Sequence, residues 1–260
     1  MGAGWATGPP GGRVVYRRGL PARPRMRTIR ETAEGEPAMS EWISLETPTG
    51  RIRAWLAQPH VPPHGALVVV QEIFGVNAHI RQVCATFAEH GYVAMAPAFF
   101  DHFEHDVQLH YDADGVAHGR DLVEKLGFDR ALEDVRAAAA QLQEYGKVGV
   151  VGYCWGGTVA YLANTRLSMP AVSYYGARTV PFLNEQLHAP MLFHFGEHDA
   201  SISADDVALH RERHPEAEVH VYPAGHGFNC DQRADFHRPS AELALERTLS
   251  FLRRALRPAY

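Results

Sequence analysis

Residues 148–157 are Val-Gly-Val-Val-Gly-Tyr-Cys-Trp-Gly-Gly. The apolar first part of this stretch is typical of a buried strand, and a helical pattern follows from Trp155 to near Thr165. Cys154 lies at the junction, within Gly-x-Cys-x-Gly. The flanking glycines let strand and helix pack closely around a tight, strained turn that points the side chain out of the sheet. The sequence therefore predicts a nucleophile elbow with Cys154 at its tip.

This position gives Cys154 two properties of a reactive group. The dipole at a helix N-terminus favours the thiolate, and the backbone N–H of Trp155 would face the oxyanion of a tetrahedral intermediate. The alternative is a buried cysteine followed by glycines that serve close packing alone, because a motif this short also matches by chance. The position of the motif in an alternating α/β chain favours the nucleophile.

Strands and helices alternate along the chain from Trp42 onward. Two strands, Trp42–Thr47 and Arg51–Gln58, are separated by turn residues and predict a hairpin. The further elements in chain order are Ala66–Gln71, a helix capped by Asn77, Tyr92–Ala96, a helix over about Asp129–Glu144, Lys147–Tyr153, the helix after Cys154, Ala171–Tyr175, Met191–Phe195, Glu218–Tyr222 and a final helix capped by Ser240. This order predicts an α/β fold, a mostly parallel sheet with helices on both faces. The hairpin would be its antiparallel N-terminal edge.

The bulk composition narrows the class of protein. With 260 residues, 46% hydrophobic and 21% charged, the chain resembles globular proteins that bury a full core. Its formal net charge of −5 and the lack of an apolar run of roughly 18 residues predict neither a nucleic-acid nor a membrane partner. Three widely spaced cysteines, none in a zinc-type spacing, favour a reducing compartment. We therefore expect a cytoplasmic protein.

Residues 1–38 differ from the rest of the chain. They are rich in Gly, Pro and Arg, they lack hydrophobic periodicity, and no apolar region follows the Arg17-Arg18 pair as it would in a secretory signal. We expect a disordered extension or a start codon assigned too early, with a transit peptide as a further alternative. Residues 39–260 are expected to form a single domain.

An acid and a base follow the elbow in the order nucleophile, acid, base. Asp199 comes just after an apolar strand, where ligand chemistry collects in open α/β sheets, although a lone Asp there is usually a turn or cap residue. His226 lies in a Gly-rich loop after the last strand, and a surface histidine is the alternative there. Together they predict a triad in which Asp199 orients His226, His226 handles the proton and Cys154 attacks a carbonyl.

Residues 99–128 form a polar segment rich in His and Asp. So long a connection in a compact domain is usually functional or a lid. In helical geometry its Asp101/His105 and His102/Asp106 pairs would each share one face, but no His-x-x-x-His pair supports a metal site. A solvated polar loop is the preferred interpretation. We therefore predict no metal here.

Glu72 and the two remaining cysteines stand out for different reasons. A carboxylate that closes the apolar strand before it is costly to bury unpaired, so Glu72 needs a proton, a partner or a site, unless it reaches solvent at the strand end. Cys84 lies on the apolar face of a helix and is expected to be inert packing. Cys230, four residues after His226, could line the pocket and is assigned no role.

Four ordered motifs make the chain resemble the dienelactone hydrolase (carboxymethylenebutenolidase) family, and they are Gln-Glu-Ile-Phe-Gly (71–75), Gly-Tyr-Cys-Trp-Gly-Gly (152–157), Gly-Glu-His-Asp (196–199) and Gly-His-Gly-Phe (225–228). The resemblance implies an α/β-hydrolase fold, no metal or organic cofactor, and a triad of Cys154, Asp199 and His226. It further implies that Ile73 and Trp155 supply the two oxyanion-hole N–H groups. In that family, the glutamate matching Glu72 lies against the nucleophile and helps to hold the resting thiol neutral.

One departure from the family pattern bears on the substrate. The family members that act on dienelactone hold the substrate carboxylate with two arginines, and those positions here are about His102 and Cys230. Arg233 could replace one arginine, and His102 could carry a charge at acidic pH, but neither reproduces a bidentate guanidinium clamp. We expect a hydrolase of a small ester or lactone, monomeric or a small homo-oligomer. The alternative is a non-catalytic or thiol-sensing protein on the same scaffold.

Overall fold

Eight strands form one sheet in the computed structural model, which describes residues 39–257 and Met1. The predictions for the N-terminal extension of residues 1–38 lie outside this described part. In chain order the strands are β1 (Met39–Thr47), β2 (Gly50–Gln58), β3 (Ala66–Val70), β4 (Val93–Pro97), β5 (Val148–Tyr153), β6 (Ala171–Tyr174), β7 (Met191–Gly196) and β8 (Glu218–Tyr222). Across the sheet they follow the order β1-β2-β4-β3-β5-β6-β7-β8.

The pairing of the strands is as the sequence predicts. β1 and β2 form a hairpin that closes at Thr47 and Gly50, and β2 pairs antiparallel with β4. All the other neighbouring strands are parallel. Every residue of β3, β4, β6 and β7 is buried, which explains why these strands are continuous apolar runs rather than alternating patterns.

Within residues 39–257 five α-helices accompany the sheet, and they are α1 (Ala78–Glu89), α2 (Ala113–Leu142), α3 (Trp155–Leu167), α4 (Ala204–Arg213) and α5 (Arg238–Ala255). The step from β3 to β4 runs in one direction across the sheet, whereas the steps from β4 to β5 and from β5 to β6 run in the other. Because parallel crossovers are right-handed, α1 covers one face and α2 and α3 cover the other. No helix within residues 39–257 is long and apolar enough to cross a membrane.

The prediction of a polar loop over residues 99–128 is wrong for its second half. Asp112 caps α2 by accepting a hydrogen bond from the N–H of Gly115 at 2.8 Å, so the helix begins at Ala113. Gly127, with φ 68° and ψ 167°, kinks this helix. The first half of α2 buries few side chains, so its apolar pattern is too sparse to read from the sequence.

Of the two predicted helix caps, the one at Asn77 is confirmed and the one at Ser240 is wrong. Asn77 caps α1, as expected, through a 3.2 Å hydrogen bond from the N–H of Ile80. Ser240 does not cap α5, because that helix begins at Arg238 and the Ser240 hydroxyl instead lies 2.6 Å from Nδ1 of His237. Helix α4 was not predicted, because it buries only Val207 and His210 and so shows no apolar pattern; a capping box at Ser203 starts it.

The junction of β5 and α3 depends on close backbone contact. A Cβ built on Gly152 would lie 1.8 Å from the carbonyl oxygen of Gly156, and one on Gly156 would lie 2.4 Å from those of Val70 and Gln71. No side chain fits at either position, so strand and helix approach each other as closely as two backbones can. Cys154 turns between them with φ 55° and ψ −116°, a conformation that only a tightly determined turn holds.

Replacing Gly152 with alanine is therefore expected to lower the free energy of unfolding by at least about 3 kcal/mol. Denaturant unfolding measures the change. Gly149→Ala is the matched control in the same strand, because its Cβ would meet its nearest atom at 3.3 Å, and it should cost less than about 1 kcal/mol. Equal stabilities of the two variants would contradict the role given to the close contact.

Candidate active site

Cys154 opens onto a cavity of about 390 Å³ at the carboxyl ends of the strands. The described residues that line the cavity are Ile73, Phe74, Val116, Arg120, Cys154, Trp155, Ala177, Arg178, Ser201, His226 and Arg233. The elbow thus presents a half-buried thiol to a space large enough for a small molecule.

Asp199, His226 and Cys154 form a continuous chain of polar contacts. His226 Nδ1 donates to Asp199 Oδ2 at 2.8 Å, and His226 Nε2 lies 3.1 Å from Cys154 Sγ. The other oxygen of Asp199 accepts from the N–H of Ser201 at 2.7 Å, which fixes the carboxylate. The structure therefore brings together the three residues that the sequence predicts as a triad, in the geometry of nucleophile, base and orienting acid.

The charges around His226 favour its protonated form. Burial by itself lowers the pKa of this imidazole, but the negative charges of Cys154 and Asp199 outweigh burial and raise the pKa to about 10. The ring also packs edge-on against Tyr175, with 5.2 Å between centroids. At neutral pH the protonated imidazole therefore faces Cys154 Sγ.

Two backbone amides border the cavity beside Cys154. Trp155 is the first residue of α3, where amides have no acceptor within their own helix, and Ile73 follows the end of β3. Both were predicted as oxyanion-hole donors, and both line the cavity with the thiol. An oxygen bound there would gain from the N-terminus of α3 as well.

Glu72 is fully buried and its charge is balanced. Arg233 Nη1 donates to Oε1 at 3.0 Å, and the hydroxyl of Tyr111 donates to Oε2 at 3.1 Å. The Arg233 guanidinium lies over the rings of Phe74 and Tyr111, with 6.0 Å and 5.8 Å to their centroids. The Glu72 carboxylate is therefore paired with Arg233 and does not reach solvent. Arg233 also lines the cavity, but its charge is neutralised by Glu72.

Most of the chain is similar in sequence to one family of known proteins. The model of the Dienelactone hydrolase family matches residues 52–256. A carboxymethylenebutenolidase of Pseudomonas putida is 32% identical over 227 residues, which cover 82% of this chain and 96% of that protein. A Yersinia pestis protein provisionally named a carboxymethylenebutenolidase is 33% identical over 221 residues, 76% of this chain and 82% of its own.

A solved structure agrees with this match. A Klebsiella pneumoniae protein, provisionally described as a dienelactone hydrolase, covers 83% of this chain and 98% of its own, with a TM-score of 0.73 and 29% identity. The chain belongs to the dienelactone hydrolase family. Its α/β-hydrolase fold is confirmed, and the chain is an enzyme of the hydrolase class.

His102 matches the position of a substrate-binding arginine in the family, but it lies outside the lining of the cavity. This residue was predicted to contact substrate, but its side chain is 5% exposed and its Nε2 lies 3.0 Å from Oδ2 of the fully buried Asp134. His102 is not among the described residues that line the cavity. Burial raises the pKa of Asp134 to about 6, and the nearby His102 opposes this rise. The contact between the two side chains links the connection after β4 to α2.

The polar segment around Asp101 also pairs internally. The guanidinium of Arg53 binds Asp101, at 2.8 Å from Nε to Oδ2, and Asp106. The group of metal-ligand side chains that converges within the described residues lies elsewhere, at Glu72, His79 and Cys230. Cys84 is fully buried in α1, where burial raises the pKa of its thiol, in keeping with inert packing.

Arg120 and Arg178 are cavity residues that the sequence analysis missed. Both are exposed, and neither guanidinium has an ion-pair partner within residues 39–257. Arg120 lies in the first half of α2, within residues 99–128 that were predicted as a polar connection, and Arg178 follows β6 after a turn at Tyr175 with φ 41°. None of the described residues that line the cavity is acidic, so its wall is positively charged.

The raised pKa of His226 can be tested by NMR titration of the free protein. Its imidazole should titrate around pH 10, remaining protonated through neutral pH, because the two anions beside it favour the charged form. Asp199→Asn should lower that midpoint. His194 is the internal control, because burial holds its pKa well below the ordinary value and it should stay neutral. A His226 midpoint near 6.5 would rule out the ion pair.

Proposed function

We propose that the protein hydrolyses a small ester or lactone through a thioester formed on Cys154. The main support for this proposal is the unbroken chain of contacts from Asp199 through His226 to the thiol, at 2.8 Å and 3.1 Å, in a cavity that Ile73 and Trp155 also line. The names of the relatives support the same substrate class, since carboxymethylenebutenolidase denotes hydrolysis of a lactone.

In the first half of the reaction, the Cys154 thiolate attacks the substrate carbonyl carbon. The carbonyl oxygen takes the negative charge and accepts hydrogen bonds from the N–H groups of Ile73 and Trp155. As the intermediate collapses, the bond to the leaving oxygen breaks and His226 Nε2 gives that oxygen its proton. The acyl group remains on sulfur as a thioester, and in a lactone the leaving oxygen stays tethered to it.

In the second half, water cleaves the thioester. His226, now neutral and held by Asp199, takes a proton from water as the hydroxide equivalent attacks the acyl carbon. The same two amides hold the oxyanion, and collapse releases the carboxylic acid. The thiolate and imidazolium are regenerated, so the cycle needs no metal or organic cofactor.

Glu72 is assigned a modulating role in this scheme. A carboxylate near the nucleophile disfavours the thiolate unless a cation balances it, and Arg233 supplies that cation at 3.0 Å. A substrate anion that draws Arg233 toward the cavity would alter this balance. Glu72 thereby links occupancy of the cavity to the charge of the Cys154 sulfur.

A thiol-sensing protein is the competing function, and turnover separates the two. Purified protein should hydrolyse nitrophenyl acetate, and Cys154→Ala should lower kcat/KM by at least about a thousandfold with the fold intact by circular dichroism. Cys84→Ala is the matched control, since that thiol packs in α1, and it should keep wild-type kcat/KM. Full activity of Cys154→Ala would remove the cysteine nucleophile.

The positive wall of the cavity predicts a preference for anionic substrates. Arg120→Gln and Arg178→Gln should each raise KM for a lactone carrying a carboxylate about tenfold, because each removes a charge-assisted contact, and should leave KM for a neutral ester unchanged. Arg136→Gln, on the same helix as Arg120 but outside the cavity lining, is the control. Equal effects on charged and neutral substrates would contradict this role.

A further inference from the structure

A second cavity of about 220 Å³ lies on the side of the elbow where α1 meets the start of α5. Its wall includes His79, Tyr153, Tyr174, Asn229, Asp231 and Phe236. The proposed reaction uses none of these side chains. The cavity is of interest because of His79, which lines it and has a ring nitrogen within 4.8 Å of the buried carboxylate of Glu72.

His79 is buried without its full set of partners. The residue is 4% exposed, and its Nε2 has no hydrogen-bond partner among the described residues. Its Nδ1 lies 3.7 Å from Oδ1 of Asp231. A buried ring nitrogen that lacks a partner costs free energy, so the position is one that a ligand would improve. A nitrogen facing a carboxylate on the far side of the ring is typical of metal-bound histidines.

Two further donors converge on His79. A carboxylate oxygen of Glu72, a ring nitrogen of His79 and the sulfur of Cys230 all lie within 4.8 Å of one another, and all three residues are buried. Thiolate, imidazole and carboxylate are the three ligand types that zinc takes in proteins. The soft sulfur argues against magnesium and calcium, which prefer oxygen.

We propose that Glu72, His79 and Cys230 bind a zinc ion that enters from the second cavity, with a water of that cavity as the fourth ligand. Zinc–ligand bonds of about 2.0–2.3 Å place tetrahedral ligand atoms about 3.5 Å apart, so the three donors must close in by about 1 Å. Cys230 releases its thiol proton to solvent as the bond forms. Asp231 then accepts from His79 Nδ1 and holds the ring.

The charge balance of the cluster allows this exchange. Glu72 and the Cys230 thiolate together offset the two positive charges of the ion, and Glu72 gives up Arg233, which already lines the catalytic cavity. The ion uses no atom of Cys154, Asp199 or His226. Zinc would take Glu72 from Arg233 and so alter the modulation proposed for the Cys154 thiol. The zinc site is tested by metal binding and the hydrolysis by turnover, so failure of one proposal is distinguishable from failure of the other.

Cobalt(II) as a spectroscopic substitute for zinc tests the assignment. In the Cys154→Ala protein, which removes the catalytic thiol, one equivalent of cobalt should produce a sulfur-to-cobalt charge-transfer absorption, and zinc should abolish it by displacing the cobalt. The absorption should disappear in Cys154→Ala/Cys230→Ser and persist in Cys154→Ala/Cys84→Ser, the control for the other buried thiol. Circular dichroism verifies that each variant is folded.

The affinity for zinc provides a second test, in variants that retain Cys230. His79→Gln should weaken zinc binding at least about a hundredfold, and Asp231→Asn about tenfold, because the latter removes only the residue that orients the imidazole. Unchanged zinc affinity in His79→Gln would overturn the site. No charge-transfer absorption in Cys154→Ala, or one that survives Cys230→Ser, would overturn it as well.

Discussion

The close contact between Gly152 and the carbonyl of Gly156 is the constraint on which the rest of the site depends. It lets α3 begin directly above β5, and it leaves Cys154 in a strained backbone conformation that aims the thiol into the cavity. The first amide of α3 then lies next to the sulfur. Asp199 and His226 follow β7 and β8, on the same edge of the sheet. One backbone contact therefore aligns the nucleophile with strand ends that come later in the chain.

Buried charge in this molecule is organised in balanced pairs. His226 and Asp199 face Cys154, Arg233 neutralises Glu72, and His102 pairs with Asp134 away from the cavity. Low polarity strengthens each pair and makes an unpaired member costly. Two kinds of unpaired group lie where ligands can reach. The exposed guanidiniums of Arg120 and Arg178 line the catalytic cavity, and the buried, unpartnered nitrogen of His79 borders the second one.

The sequence predicts the strands and the triad because both are indicated by short stretches of neighbouring residues. Each triad residue lies in a short motif at the end of an apolar strand, so topology alone brings the three together. Arg120 could not be found this way, since it lies on a helix with too few buried residues to show a pattern. His102 was misassigned because its partner, Asp134, is 32 residues away and fully buried. Such a pairing depends on tertiary packing and leaves no local signal.

The central claim is that the acyl group passes through the sulfur of Cys154. Rapid acid quenching of the reaction with nitrophenyl acetate, followed by mass spectrometry of the intact protein and its peptides, tests it most directly. One acetyl group should be added to Cys154, hydroxylamine should release it as expected of a thioester, and Cys154→Ala should not acquire it. An acetyl group on any other residue of a protein that still turns over would contradict it.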